Sequence, residues 1–162
     1  MRLYFAILLV LLGLDQLSKY LVLAHFDLYE VRPIIPGLFN LVLVTNKGAA
    51  FSMFASVDSP LRHYFFVAVN STAFVGLTIA AWKMHAQHRL YRVALSMIAA
   101  GAVGNLIDRL RFGAVIDFLD FYLGSYHWPA FNVADSAICV GVILLFTMNV
   151  IELRKEKNGS DE

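Results

Sequence analysis

The chain has 162 residues, 59% of them hydrophobic and 15% charged, with a mean hydropathy of +0.67. Soluble domains run nearer roughly 45 to 50% apolar and about 25% charged, so this composition favours a few membrane spans over a soluble fold. A net charge of +1 with no basic block argues against nucleic acid as a partner, and the single cysteine, Cys139, excludes an intramolecular disulfide, a C-x-x-C redox pair and a thiolate zinc cluster.

A bilayer core about 30 Å thick is crossed by about 20 apolar helical residues, and four segments come near that length. The first, residues 3–24, opens with an apolar run from Leu3 to Leu14 and then carries Asp15, Gln16, Ser18 and Lys19. Arg2 before an apolar run also fits a cleavable signal peptide, but Leu21 to His25 contains no small-x-small cleavage site. In the connection 25–63, the turn signal Pro36-Gly37 precedes an expected extended segment from Leu38 to Thr45. Gly48-Ala49-Ala50 then suggests a tight turn into a short interfacial helix. The second span, 64–82, has Asn70, Ser71 and Thr72 as its markedly polar residues, and none of them carries a charge. The third, 91–110, is rich in Ala and Gly through Ala99, Ala100, Gly101, Ala102 and Gly104, the small residues that let membrane helices pack closely, so it belongs inside the bundle.

The second long connection, 111–131, carries Phe118, Phe121, Tyr122, Tyr126, Trp128 and Phe131, aromatic types that settle at the headgroup level. The fourth span, 132–151, leads into a charged tail, 152–162, expected to be irregular and solvated. The expected fold is therefore a single all-α integral membrane domain over residues 1–162, with four transmembrane helices and both termini on one side. Arg2, Lys83, Arg89, Arg92, Arg154, Lys155 and Lys157 fall on that side, against Arg32, Lys47, Arg62, Arg109 and Arg111 on the other. The positive-inside rule then makes the termini cytoplasmic, more firmly if Arg109 is embedded in a site.

An ionisable side chain inside a span costs at least ~2.5 kcal/mol on insertion scales and calls for a partner, an aqueous cavity or a function. Asp15 and Lys19 stand one turn apart in the favourable order for an ion pair. Asp108 and Arg109 end the third span. Adjacent helical positions diverge, so the two should serve different partners, unless both simply snorkel to the interface. Asn105 shares a face with Arg109 and could form with it a clamp for carbonyl or phosphate-like groups. Asp117, in the apolar context Val115-Ile116-Asp117-Phe118-Leu119, should have a raised pKa. Asp135, in the first turn of the fourth span, faces a helix dipole that favours its charge. Two neighbouring carboxylates, one protonated and one ionised, can activate a water against an amide and protonate the departing nitrogen. Asp120 is a rival partner for Asp117. The five histidines, His25, His63, His85, His88 and His127, show no metal-ligand spacing, and no metal site is expected. A proton-coupled carrier using Asp15, Asp117 and Asp135, or a non-catalytic scaffold, would fit the same spans.

Five blocks in order resemble the bacterial lipoprotein signal peptidases, also called signal peptidase II or prolipoprotein signal peptidase, over nearly the whole chain. They are Asp15-Gln16-Leu17-Ser18-Lys19, Asn46-Lys47-Gly48-Ala49-Ala50-Phe51, Gly101-Ala102-Val103-Gly104-Asn105-Leu106-Ile107-Asp108-Arg109, Val115-Ile116-Asp117-Phe118 and Phe131-Asn132-Val133-Ala134-Asp135-Ser136. The resemblance implies a membrane aspartic endopeptidase without cofactor or metal, bearing an extracytoplasmic β-cradle and a short surface helix. Its implied substrate is a diacylglyceryl-modified prolipoprotein, cut before the lipidated cysteine. Asp117 and Asp135 take the catalytic positions. Asn46, Gly48, Asn105, Arg109, Asn132 and Ala134 take substrate-binding or dyad-supporting ones, and Asp15, Lys19 and Asp108 structural polar ones. The resemblance further implies work in the bacterial cytoplasmic membrane as a single chain, with membrane lipid around it, a site near the outer face, and binding of the cyclic peptide globomycin.

Overall fold

The computed structural model describes residues 1–48, 60–83 and 89–159. The short interfacial helix expected after Gly48, and His85 and His88, lie outside the described residues. In chain order the elements are α1 (Arg2–His25), β1 (Val31–Ile35), β2 (Phe39–Asn46), α2 (Pro60–Lys83), α3 (Arg89–Phe112), β3 (Val115–Leu123), β4 (Tyr126–His127) and α4 (Val133–Gly159). Each helix has at least 24 residues. At 1.5 Å per residue that is about 36 Å, more than a bilayer core, and all four are apolar enough to cross one.

The third helix is the inner one, as its small residues led one to expect. More than half of its span is buried, against less than a quarter of each of the others, whose exposed faces carry the lipid-facing side chains. A Cβ on Gly101 would collide with the carbonyl oxygen of Ala134 in α4, and one on Gly141 of α4 would lie 2.9 Å from the carbonyl oxygen of Ala94. The absence of side chains at these positions brings α3 and α4 into backbone contact. Tyr4, Leu8, Ala81, Leu95, Ala99 and Ala100 form the buried core of the N-terminal half of α1, and Tyr4 Oη shares a hydrogen bond with Thr78 Oγ1 at 2.8 Å.

The fourth helix runs on through Gly159, where an irregular tail from Glu152 was expected. Glu152, Leu153, Arg154 and Lys155 are good helix formers, and Tyr91 on α3 donates its hydroxyl to Glu152 Oε2 at 2.7 Å, which ties the first turn of the extension to the bundle.

The two long connections form an antiparallel sheet in the order β1-β2-β3-β4. The small sheet is present as the resemblance implied; the extended segment expected over 38–45 is β2, whereas β1, β3 and β4 had not been placed on particular residues. Phe39 pairs with Phe121, Val44 with Asp117 and Asn46 with Val115, with a bulge between Leu41 and Val44. Val22, Leu43, Ile116 and Phe118 pack together and seat the sheet on the end of α1. Gly113 turns the chain out of α3 with φ +72°, a conformation that suits glycine, while its N–H bonds the Arg109 carbonyl at 3.0 Å. Phe131 then returns to β3, exchanging backbone hydrogen bonds with Leu119 at 2.8 and 3.1 Å. That return places Asn132, and the start of α4, beside Asp117.

Candidate active site

Asp117 stands on β3 at the root of the sheet, 2% exposed. Its Oδ1 accepts from Asn132 Nδ2 at 2.7 Å and its Oδ2 from Asn46 Nδ2 at 3.2 Å. The Gly48 N–H donates to Asn46 Oδ1 at 2.9 Å, which fixes the orientation of that amide. Desolvation raises the Asp117 carboxyl from the ordinary aspartate value of 3.8 to about 7. The nearby Asp135 charge adds to the rise, while the Asn46 and Asn132 hydrogen bonds and the Lys19 charge oppose it.

Asp135 lies in the first turn of α4. Asn132 is the N-cap of that helix, its Oδ1 accepting the Asp135 N–H at 2.9 Å. Asp135 Oδ1 accepts from Asn105 Nδ2 at 2.8 Å, and Asn105 Oδ1 accepts from Lys19 Nζ at 3.2 Å and Asn132 Nδ2 at 3.3 Å. Two amides, Asn105 and Asn132, therefore join the two carboxylates into one network, with one carboxylate delivered by the sheet and the other by a helix N-terminus.

Beneath this pair lies a second buried layer. Lys19 Nζ sits 2.9 Å from Asp15 Oδ2 and 2.7 Å from Asp108 Oδ2, so the expected one-turn pair is in fact a triad across α1 and α3. Each carboxylate also anchors a neighbour. Asp15 Oδ1 accepts the Ala134 N–H at 2.9 Å, at the N-terminus of α4, and Asp108 Oδ2 accepts the Ile116 N–H at 3.2 Å, next to Asp117. Ala134 thus contributes its backbone rather than its side chain. The snorkelling reading of Asp108 and Arg109 fails, because they are only 1% and 9% exposed. The two do diverge, as adjacent positions must. Arg109 turns to donate to the Gly48 carbonyl at 3.2 Å, with its guanidinium carbon 5.0 Å from the Phe66 ring centre.

The sequence profile described as Signal peptidase (SPase) II matches residues 7–151 of this chain. The chain belongs to the signal peptidase II family. The Lipoprotein signal peptidase of Geobacter metallireducens is 51% identical over 159 residues, covering 98% of this chain and 97% of that protein. Its namesake in Geobacter sulfurreducens is 47% identical over 155 residues, covering 96% of each. A solved bacterial membrane enzyme, determined by the in meso method at 2.3 Å resolution, matches with a TM-score of 0.82 at 30% identity, covering 98% of this chain and 92% of that one.

Not every candidate of this signal peptidase II chain joins the network. Asp120 accepts from Asn40 Nδ2 at 2.8 Å and pairs with His127 Nδ1 at 2.9 Å. It stands three positions from Asp117 on a strand whose side chains alternate, and it is not a partner of the pair. Among the described residues, no three His, Cys, Asp or Glu side chains are grouped so as to hold a metal ion. Two contributors escaped sequence reasoning. Gln16 Nε2 donates to Asp15 Oδ2 and Asp108 Oδ1, both at 3.1 Å, and locks the triad. An amide inside an apolar span signalled that it needed partners without naming them. Phe66, under Arg109, gave no signal, because an aromatic residue in an apolar helix is unremarkable.

Proposed function

We propose that this chain is a membrane aspartic endopeptidase that removes the signal peptide from diacylglyceryl-modified prolipoproteins, cutting just before the lipidated cysteine. Family membership supports the reaction. The observation that carries its assignment to residues is the linkage of Asp117 and Asp135 through Asn132 and Asn105, in a setting that raises the Asp117 carboxyl to about 7. Near neutral pH such a pair holds a single proton, and the titration belongs to the pair rather than to either residue.

The ionised carboxylate takes a proton from a water as its oxygen attacks the scissile carbonyl carbon. The protonated one hydrogen-bonds the carbonyl oxygen. When the tetrahedral intermediate collapses, the amine leaves with a proton from the dyad, and the pair returns to its one-proton state with no covalent intermediate. Asn46, with Gly48 behind it, and Asn132 hold Asp117 in place, and Asn105 holds Asp135. Arg109 steadies the Gly48 carbonyl and borders the approach. The Asp15, Lys19 and Asp108 triad fixes the α4 N-terminus and the β3 root against each other.

In this reading the termini are cytoplasmic, the dyad lies near the outer face of the bacterial inner membrane, and the substrate enters laterally with its acyl chains still in lipid. The chain works as a monomer, and a globomycin-like cyclic peptide competes for the site. The test is cleavage of a diacylglyceryl-modified prolipoprotein by purified chain in detergent, with chelator present, for wild type, Asp117→Asn and Asp135→Asn. Wild-type cleavage abolished in both folded variants supports the dyad. A folded wild type that does not cut, or variants that cut undiminished, overturns it.

A further inference from the structure

The antiparallel register brings two hairpin tips to the same end of the sheet. Phe39, at the start of β2, pairs with Phe121, near the end of β3. The Tyr122 N–H donates to the Leu38 carbonyl at 2.9 Å, and the Gly37 N–H donates to Tyr122 Oη at 2.8 Å, so the tips form one unit. That unit is apolar and open: Ile34, Ile35 and Leu38 are about half exposed, and Leu123 and Tyr126 are 77% and 67% exposed. No Asp, Glu, Lys or Arg occurs in residues 33–46 or 121–134. Sheets that end in water carry polar faces and charged edges, and a contiguous apolar patch without them marks an interaction surface.

We infer that both hairpin tips are inserted into the outer leaflet of the bilayer, at the level where headgroups meet acyl chains. The patch is continuous with a surface that must already face lipid, running from Leu17 and Leu21 on α1 through Leu28 and Tyr29 to Val31 and Ile34, all exposed. On this path Glu30 and Arg32 compensate each other, with Arg32 Nε 2.6 Å from Glu30 Oε1 and its guanidinium carbon 4.0 Å from the Phe26 ring centre, while Asp27, at the turn after α1, is exposed at headgroup level. Length decides how the sheet must lie. Nine residues of β3 span about 26 Å, so an upright sheet would lift Leu123 far into water, whereas a sheet lying along the membrane keeps every tip residue at the interface. Tyr29, Tyr126 and Trp128 suit that depth. Asp117 stands on the same strand as one tip, so the depth of the tips sets the depth of the carboxylate. The inference rests on the four spans, and its naming of the outer leaflet on the proposed orientation, but not on the catalytic reading.

The test is depth-dependent fluorescence quenching on the full chain carrying Trp82→Phe and Trp128→Phe with either Leu123→Trp or Ile35→Trp, reconstituted into phosphatidylcholine vesicles. Both reporter positions are exposed, so each accepts the indole without repacking, and either suffices if the other fails to fold. With lipids brominated near the middle of the acyl chain, the expected result is blue-shifted emission reduced by about half or more and insensitive to aqueous iodide. Red-shifted emission quenched by iodide and not by bromolipid overturns the inference. Blue-shifted emission that neither quencher reaches also overturns it, because protein, such as a second copy of the chain, would then cover the tips.

Discussion

Asn132 donates its side-chain N–H to Asp117 Oδ1 at 2.7 Å, and its own Oδ1 accepts the backbone N–H of Asp135 at 2.9 Å. One fully buried amide thus holds the sheet-borne carboxylate and caps the helix that carries the other. Asn132→Ala removes both bonds. Loss of the cap costs about 1 kcal/mol of stability, while kcat for prolipoprotein cleavage should fall roughly 100-fold or more with KM little changed. Asn132→Ser keeps a capping oxygen without the reach to Asp117, so it should recover the thermal midpoint but not kcat. Recovery of both by Ser would mean that Asn132 acts only as a cap.

The Asp117 carboxyl, raised from 3.8 to about 7, gives a pH signature of known sign. Between these values the folded chain keeps a proton that an unfolded aspartate has released, so stability falls as pH rises through this window and levels off above it. Asp117→Asn cannot titrate and should flatten that slope in thermal unfolding scans in detergent. Cleavage by the wild type should decline as the pH passes about 7 and the dyad loses its shared proton. A wild-type stability profile as flat as that of the variant would contradict the raised value.

Lys19 is the one cation within 4.0 Å of both Asp15 and Asp108 among the described residues, and all three are 2% exposed or less. Lys19→Met keeps the volume and strands two buried carboxylates. Removing one member of such a buried group typically costs about 3 to 5 kcal/mol, so the variant should unfold far below wild type or fail to accumulate. Lys19→Met combined with Asp15→Asn and Asp108→Asn should regain much of that loss without regaining full activity, because Ala134 and Ile116 would then be held by neutral acceptors. Size-exclusion profiles and thermal midpoints in detergent measure the first effect, and steady-state cleavage the second.

The parts of the molecule that the sequence disclosed are those written in local periodicity. Spans of about 20 apolar residues need no partner to be recognised, the one-turn spacing of Asp15 and Lys19 announces an ion pair, and Pro36-Gly37 announces the turn before β2. What depends on distant chain was hidden. Asp108 as the third member of the triad, and Gln16 as its lock, follow from how α1 packs on α3. β3 escaped because Val115 to Phe118 are buried without interruption, which leaves no alternation to read. The contrast between the apolar context of Asp117 and the helix N-terminus of Asp135, and then the five family blocks, pointed to these two as a pair. The return of Phe131 to β3, which brings them to one amide, could be seen only in the fold.

Gly104 tests how tightly the two layers are coupled. A Cβ there would lie 2.5 Å from Asp15 Oδ2, 3.1 Å from its Cγ and 3.2 Å from Ala134 Cβ. Asp15 cannot step aside freely, because its carboxylate also holds the Ala134 N–H and Lys19 Nζ. Gly104→Ala should therefore shift the first turn of α4, and Asp135 with it. The expected cost is about 1 to 3 kcal/mol, the usual range for overpacking, with a fall in kcat larger than the loss of folded protein explains. Gly13→Ala is the control: its Cβ would meet nothing within 4 Å, so it should leave activity unchanged. Equal behaviour of the two variants in cleavage and thermal unfolding would show that the close approach of Gly104 to Asp15 does not position the α4 N-terminus.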